Sequence, residues 1–173
     1  MYEPFKIARP PPYLHAIPAI INDDVEIDCL PAIELKNGYF KIPEGNDKLI
    51  TINPSIDEKM LIRINKNNSG MGTKLIRLLK KWNYINNKPF KSYQVERLVF
   101  HIFNNKKIIS LDKGLKTFFN DCITFLENGE QILDDIDNHL ILNGLNRKKA
   151  ISIMKNTSGL IKEEKWTKVF QKI

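Results

Sequence analysis

The spacing of hydrophobic residues along the chain changes once, close to residue 53. Before that point, residues 24–29 alternate polar and apolar side chains, as in a strand that buries one face. An apolar stretch at residues 15–21 precedes them, and the turn signal at residues 36–38 leads into a further strand at residues 39–42. The pattern therefore predicts a small sheet in the first third of the chain.

After residue 53, apolar residues recur at the three- and four-residue spacing of amphipathic helices. The clearest apolar stripes are Leu75, Leu78, Leu79 and Trp82; Val95, Leu98, Val99, Ile102 and Phe103; and Leu111, Leu115, Phe118, Cys122 and Phe125. Shorter helices are predicted at residues 146–154 and 163–170. A sheet followed by helices predicts an α+β fold, with a β-rich part at residues 1–52 and a helical part at residues 53–173.

The composition is that of a globular protein, with 42% hydrophobic and 27% charged residues. No apolar run reaches the length of about 20 residues that a membrane-spanning helix needs. Prolines between Met1 and Pro18 interrupt any signal peptide, so a cytoplasmic protein without a membrane partner is expected. Cys29 and Cys122 lie far apart in apolar stretches, which predicts buried free thiols.

The net charge of +7 favours a polyanionic partner, such as a nucleoside triphosphate or a nucleic acid. The alternative is that most lysines are merely solvated. The basic residues of the helix predicted at residues 72–84 have the same two interpretations, an anion-binding surface or a solvated face. Lys74, Arg77 and Lys81 fall on one side of this helix, and Lys80 borders them.

Three carboxylates alternate along the strand at residues 24–29. Asp24, Glu26 and Asp28 are two residues apart, so all three are expected on one face of the strand. Their mutual repulsion is costly unless a cation lies against them, and nucleotidyl transfer uses such carboxylates to hold two Mg²⁺ ions. The alternative is a solvated sheet edge.

Six short motifs follow one another along the chain. They are IDCLPA at residues 27–32, GYFKIP at 38–43, TINP at 51–54, IRLLKKWN at 76–83, KSYQVE at 91–96 and KWTKVF at 165–170. In this order they resemble the cyclic GMP-AMP synthase/DncV-like nucleotidyltransferases, which are related to oligoadenylate synthetase. The resemblance implies part of a polymerase-beta-like nucleotidyltransferase sheet at residues 1–52, followed by a helical nucleotide-binding subdomain.

The resemblance also implies a chemistry and the residues that carry it. The family joins ribonucleoside triphosphates into cyclic or linear oligonucleotide second messengers, and its bacterial members imply a role in antiphage defence. Asp28 matches the third metal-binding carboxylate, with Mg²⁺ or Mn²⁺ as the expected cofactor. Lys80 and Ser92 match residues at the nucleotide phosphates, and Tyr93 matches a residue that stacks on a base.

The chain departs from the family pattern before Asp28. The Gly-Ser helix start and the first carboxylate pair, which precede this strand in the family, have no match, and Asp24 and Glu26 do not replace them. The expectation is either a fragment of an enzyme or a chain whose front half comes from a complementary N-terminal chain or a homo-oligomer, and in both cases a chain that is inactive alone. The alternative is a catalytically inactive subunit that binds nucleotide or RNA.

The KSYQVE motif at residues 91–96 also predicts the start of a helix. Ser92 suits a helix N-cap, whose exposed N–H groups can hold an anion. Glu96 lies one residue too late for a capping box, so it is expected to make another contact. Without the resemblance, Tyr93 is an ordinary half-buried aromatic residue.

Overall fold

A computed structural model of the protein describes residues 6–7, 17–21, 25–43, 49–133 and 140–171. The chain divides into two compact units, residues 1–57 and residues 58–173. Each unit is described by itself. The roles assigned to residues 1–52 and 53–173 from the sequence stay predictions.

The strand that carries Asp28 lies in a three-stranded antiparallel sheet of the first unit. Its strands are β1 (Lys6–Ile7), β2 (Ile17–Ile21) and β3 (Val25–Cys29), in that order. Asp28 pairs with Pro18 of β2. The predicted strand is thus confirmed for residues 25–29, whereas Asp24 lies outside the described residues.

A second antiparallel sheet follows in the same unit. It contains β4 (Ile33–Glu34), β5 (Phe40–Pro43) and β6 (Leu49–Ile52), in the order β4-β5-β6. The turn between β4 and β5 is a short 3-10 segment in which Asn37 has φ 64° and Gly38 has φ 76°. Asparagine and glycine tolerate this left-handed conformation best, which explains the turn signal in the sequence.

Helices follow the second sheet, joined by turns and loops. They are α1 (Pro54–Asn67), α2 (Met71–Ile85), α3 (Ser92–Ile102), α4 (Leu111–Glu127), α5 (Arg147–Lys162) and α6 (Trp166–Phe170). The predicted α+β class is confirmed. No helix in the described part of the chain is long and apolar enough to cross a membrane.

Helix α5 extends to Lys162, past the predicted end at residue 154. Between Met154 and Ile161, which are both buried, the inward positions are not apolar. Thr157 and Ser158 are buried there instead. Thr157 accepts a hydrogen bond from the indole N–H of Trp82 at 2.9 Å, and Ser158 donates one to the side chain of Asn120 at 3.1 Å. Polar side chains on an inward face remove the hydrophobic period by which a helix is recognised.

The two cysteines differ in their surroundings. Cys122 is buried in α4, as predicted, and burial raises the pKa of its thiol, so the sulfur stays protonated. Cys29 is exposed at the end of β3, so the prediction of a buried thiol was wrong for this residue. Ile27, two residues earlier in the same strand, is also exposed. Both thiols are free.

Candidate functional site

A cavity of about 520 Å³ lies in the second unit, between the end of α2, the start of α3 and residues 144–145. Three lysines line it: Lys80, Lys88 and Lys91. Ser92 lines it as well, so two of the residues matched to phosphate contacts lie at one cavity. None of the described residues that line the cavity is acidic. The cavity therefore has the electrostatic character of an anion site.

The connection between α2 and α3 is held beside the cavity by one buried side chain. Asn83 donates from its side-chain amide to the carbonyl of Phe90 at 2.8 Å and accepts from the Phe90 N–H at 3.0 Å. The carbonyl of Asn83 also accepts from the Lys88 N–H at 2.7 Å. Asn87 and Lys88 both have positive φ, 59° and 51°. Asn83 thus stabilises a loop conformation that few residues adopt unaided.

Replacing Asn83 with alanine should lower the free energy of unfolding by about 2–3 kcal/mol, since two buried hydrogen bonds are lost and the Phe90 groups lose their partners. Asn83 is only 4% exposed, so water cannot easily replace it. Urea denaturation measures the change. The matched control is Asn86→Ala, which removes one hydrogen bond to the Trp82 carbonyl at the partly exposed end of α2. Equal destabilisation by the two changes would contradict the role given to Asn83.

The start of α3 differs from the sequence prediction. Lys91, not Ser92, is the N-cap residue, and Ser92 is the first residue of the helix. The backbone N–H of Lys91 donates to the side-chain oxygen of Gln94 at 2.9 Å, while the Gln94 amide donates to the carbonyl of Ile141 at 3.0 Å. The signal was present in the sequence, because a glutamine three residues after Lys91 is the acceptor of a capping box. Ser92 is left exposed beside the cavity.

Lys80 forms an ion pair with Glu96 of α3. The prediction that Glu96 makes a contact other than a capping box is confirmed. Both side chains are partly exposed, 38% for Lys80 and 31% for Glu96. Ion pairs of this exposure contribute little to stability, about 0–1 kcal/mol, so an anion of higher charge can replace Glu96 at modest cost.

Tyr93 is placed differently from Lys80 and Ser92. Its hydroxyl donates to the carbonyl of Ile141 at 3.3 Å, and 42% of the residue is exposed. It is not one of the described residues that line the cavity. Stacking of Tyr93 on a base stays a prediction, as do the phosphate contacts of Lys80 and Ser92.

Sequence reasoning missed Tyr84, which also lines the cavity. It follows Lys80 by four residues on α2, so the two share one side of the helix. The ammonium groups of Lys81 and Lys88 lie 5.8 Å and 5.7 Å from the centre of its ring. Its spacing from Lys80 was the signal in the sequence that could have placed Tyr84 at the site. The contact with Lys88 could not be predicted in this way, because it depends on the loop conformation.

The candidate metal ligand, Asp28, belongs to the first unit, in β3. Among the residues described, no group of three or more His, Cys, Asp and Glu side chains could hold a metal ion. The assignment of Asp28 to an Mg²⁺ or Mn²⁺ site therefore stays a prediction. The sequence also has an acidic cluster, Asp134, Asp135 and Asp137, which lies outside the described residues.

The chain is similar in sequence to one named protein and in fold to one solved structure. No protein-family model matches the chain. Over 142 residues it is 30% identical to a protein of Bacillus cereus (strain VD146) named "Probable cyclic nucleotide synthase", a match that covers 79% of this chain and 42% of the relative. The chain is related to the cyclic GMP-AMP synthase/DncV-like nucleotidyltransferases.

The fold of the chain is similar to that of a solved structure. CdnC of E. coli MS115-1, in its complex with HORMA-deltaN, superimposes with a TM-score of 0.76 at 13% sequence identity, over 91% of this chain and 62% of that chain. At this identity, the likeness concerns the fold. The chain spans less than two thirds of the length of either relative.

Proposed function

We propose that the chain is the C-terminal part of a nucleotidyltransferase that makes cyclic or linear oligonucleotide second messengers from ribonucleoside triphosphates. The observation that supports this most directly is the lysine-lined cavity, where Lys80 and Ser92 meet. The relative named as a cyclic nucleotide synthase supports the same class of reaction. In that reaction a hydroxyl of one nucleotide attacks the α-phosphate of another, and pyrophosphate leaves.

The cavity suits the triphosphate of such a substrate. Lys80, Lys88 and Lys91 can each place an ammonium group against phosphate oxygens, and hydrogen bonds to charged groups contribute about 1.5–3 kcal/mol each. The Lys80–Glu96 ion pair contributes less than that. Bound triphosphate is therefore expected to replace Glu96 as the ion-pair partner of Lys80. The exposed hydroxyl of Ser92 is available for a further phosphate oxygen.

Asp28 is proposed as one ligand of an Mg²⁺ or Mn²⁺ site whose other carboxylates come from outside the described residues. When bound, the metal would stabilise negative charge on the triphosphate and the leaving pyrophosphate. The missing carboxylates would be supplied by a complementary chain or a second copy of this chain. CdnC was solved in complex with HORMA-deltaN, which makes a protein partner for this chain a reasonable proposal. Antiphage signalling in the cytoplasm belongs to the same proposal.

The phosphate role of Lys80 is tested by substitution. Lys80→Ala should weaken ATP binding on the order of 10- to 100-fold, because one charge-assisted contact to phosphate is lost. Lys74→Ala is the matched control, since Lys74 is exposed on the same helix but does not line the cavity, and a change within about twofold is expected. Isothermal titration calorimetry at fixed ionic strength measures both.

A further variant tests whether Glu96 competes with ATP for Lys80. Glu96→Gln removes the competitor for Lys80 while keeping the size of the side chain, so ATP affinity should stay equal or rise. ATP binding that is the same in wild type, Lys80→Ala and Lys74→Ala would contradict a triphosphate site at this cavity.

The second candidate function is a catalytically inactive subunit that binds nucleotide or RNA and pairs with another chain. The exposed basic side of α2, formed by Lys74, Arg77 and Lys81, favours it. This function predicts salt-dependent RNA binding that falls when these three residues are replaced and is insensitive to Lys80→Ala. The nucleotidyltransferase proposal predicts the reverse order of sensitivity for ATP.

A further inference from the structure

The most exposed aromatic ring at the cavity is that of Tyr84. The residue is 59% exposed, near the end of α2, and lines the cavity together with Lys80. Two ammonium groups, those of Lys81 and Lys88, lie within 6 Å of the centre of its ring. An exposed aromatic ring of this kind, bordered by lysines and adjoining an anion site, has the features of a stacking surface for nucleotides.

We infer that Tyr84 stacks on the base of the nucleotide whose phosphates are held by Lys80 and Lys88. This inference rests on the proposed function, because it takes the cavity to be the triphosphate site. It goes beyond the family resemblance, which assigns base stacking to Tyr93 and no role to Tyr84. The ligand class is a nucleoside triphosphate, and purines are favoured over pyrimidines because their ring area is larger.

The expected gain from stacking exceeds the loss of the lysine contacts. Stacking of a base on an aromatic side chain contributes about 5- to 150-fold in affinity, whereas an exposed cation–π contact contributes about 2- to 5-fold. A base can therefore displace a lysine from the ring of Tyr84. When the displaced ammonium is that of Lys88, which lines the cavity, it becomes available to the phosphates, so the exchange adds a second favourable contact.

The loop conformation places Lys88 for this role. Lys88 has φ 51°, and its backbone N–H is held by the carbonyl of Asn83 at 2.7 Å. The backbone position of Lys88 is therefore set by a buried residue. Its ammonium lies 5.7 Å from the centre of the Tyr84 ring, and both residues line the cavity. Tyr93, by contrast, has its hydroxyl bonded to the Ile141 carbonyl. Tyr84 lines the cavity and Tyr93 does not, so the role inferred for Tyr84 is independent of the one predicted for Tyr93.

The test compares ligands with and without a base. Tyr84→Leu removes the aromatic face but keeps an apolar side chain, and Tyr84→Phe keeps the ring. Binding of ATP, GTP and inorganic tripolyphosphate to the full 173-residue chain is measured by calorimetry, with thermal melting as the check on folding. Tyr84→Leu should weaken ATP and GTP binding on the order of 10-fold and leave tripolyphosphate within about twofold. Tyr84→Phe should bind all three like wild type.

Each other outcome has a defined meaning. If wild type binds ATP and Lys80→Ala does not, but Tyr84→Leu binds ATP like wild type, the inference about Tyr84 is overturned and the triphosphate site stands. If Tyr84→Leu weakens tripolyphosphate as much as ATP, the ring acts on the phosphate-binding lysines and not on the base, which also overturns it. If wild type binds neither ATP nor tripolyphosphate, the proposed function itself fails.

Discussion

Replacing Asp28 with asparagine is expected to reduce nucleotide transfer by at least about 100-fold, to the limit of detection in most assays. Asparagine has the size of aspartate, so the pairing of β3 with β2 should persist. It lacks the negative charge, however, and so cannot neutralise a divalent cation. ATP binding without metal should be unchanged, whereas any strengthening of that binding by Mg²⁺ should be lost. Product formation from labelled ATP and GTP, by the assembly isolated from native cells, measures the first effect.

The matched control for Asp28 is Glu26→Gln in the same strand. Glu26 lies two residues earlier in β3 and pairs with Ile20 of β2, so this change also removes one carboxylate from the strand. The family resemblance assigns it no metal, and near-normal product formation is expected. Equal loss in both variants would indicate a general effect of charge on the strand. Unchanged product formation by Asp28→Asn would rule out its assignment as a metal ligand, and no product from wild type would favour the binding subunit.

The helices that the sequence predicted well share one physical property. In α2, the inward positions Leu75, Leu79 and Trp82 are apolar and fully buried, so the hydrophobic period and the buried face coincide. The second half of α5 escaped prediction because Thr157 and Ser158 occupy the inward face. Buried polar residues are recognised only once their partners are known, and those partners lie tens of residues away in the sequence.

The residues of the candidate site also differ in how far the sequence predicted them. Lys80 and Ser92 were identified by motif, and both line the cavity. Lys88 and Tyr84 were not, because a loop with positive φ brings Lys88 to the ring of Tyr84. That conformation depends on the side chain of Asn83, whose bonds to the backbone of Phe90 have no signature in hydrophobic spacing. The helix cap differs, because the prediction was wrong by one residue although its signal, a glutamine three residues after Lys91, was present in the sequence.

Replacing Trp82 with alanine is expected to lower the free energy of unfolding by about 3–5 kcal/mol. Trp82 is 1% exposed, and its ring packs edge-to-face on Phe119 with the ring centres 4.9 Å apart. It also contacts Phe90 at 6.3 Å between ring centres and donates its indole N–H to Thr157. The truncation leaves a cavity among α2, α4 and α5 that these rigid neighbours cannot fill. Urea denaturation gives the change in free energy.

Two variants separate packing from the hydrogen bond in this core. Trp82→Phe keeps much of the ring but removes the N–H donor, and the hydroxyl of Thr157 still donates to the Ile153 carbonyl at 3.0 Å. Its cost should therefore be smaller, about 1–2 kcal/mol. Tyr84→Ala, an exposed aromatic residue on the same helix, should cost under about 1 kcal/mol. If Trp82→Ala destabilises no more than Tyr84→Ala, the packing role given to Trp82 in this core is wrong.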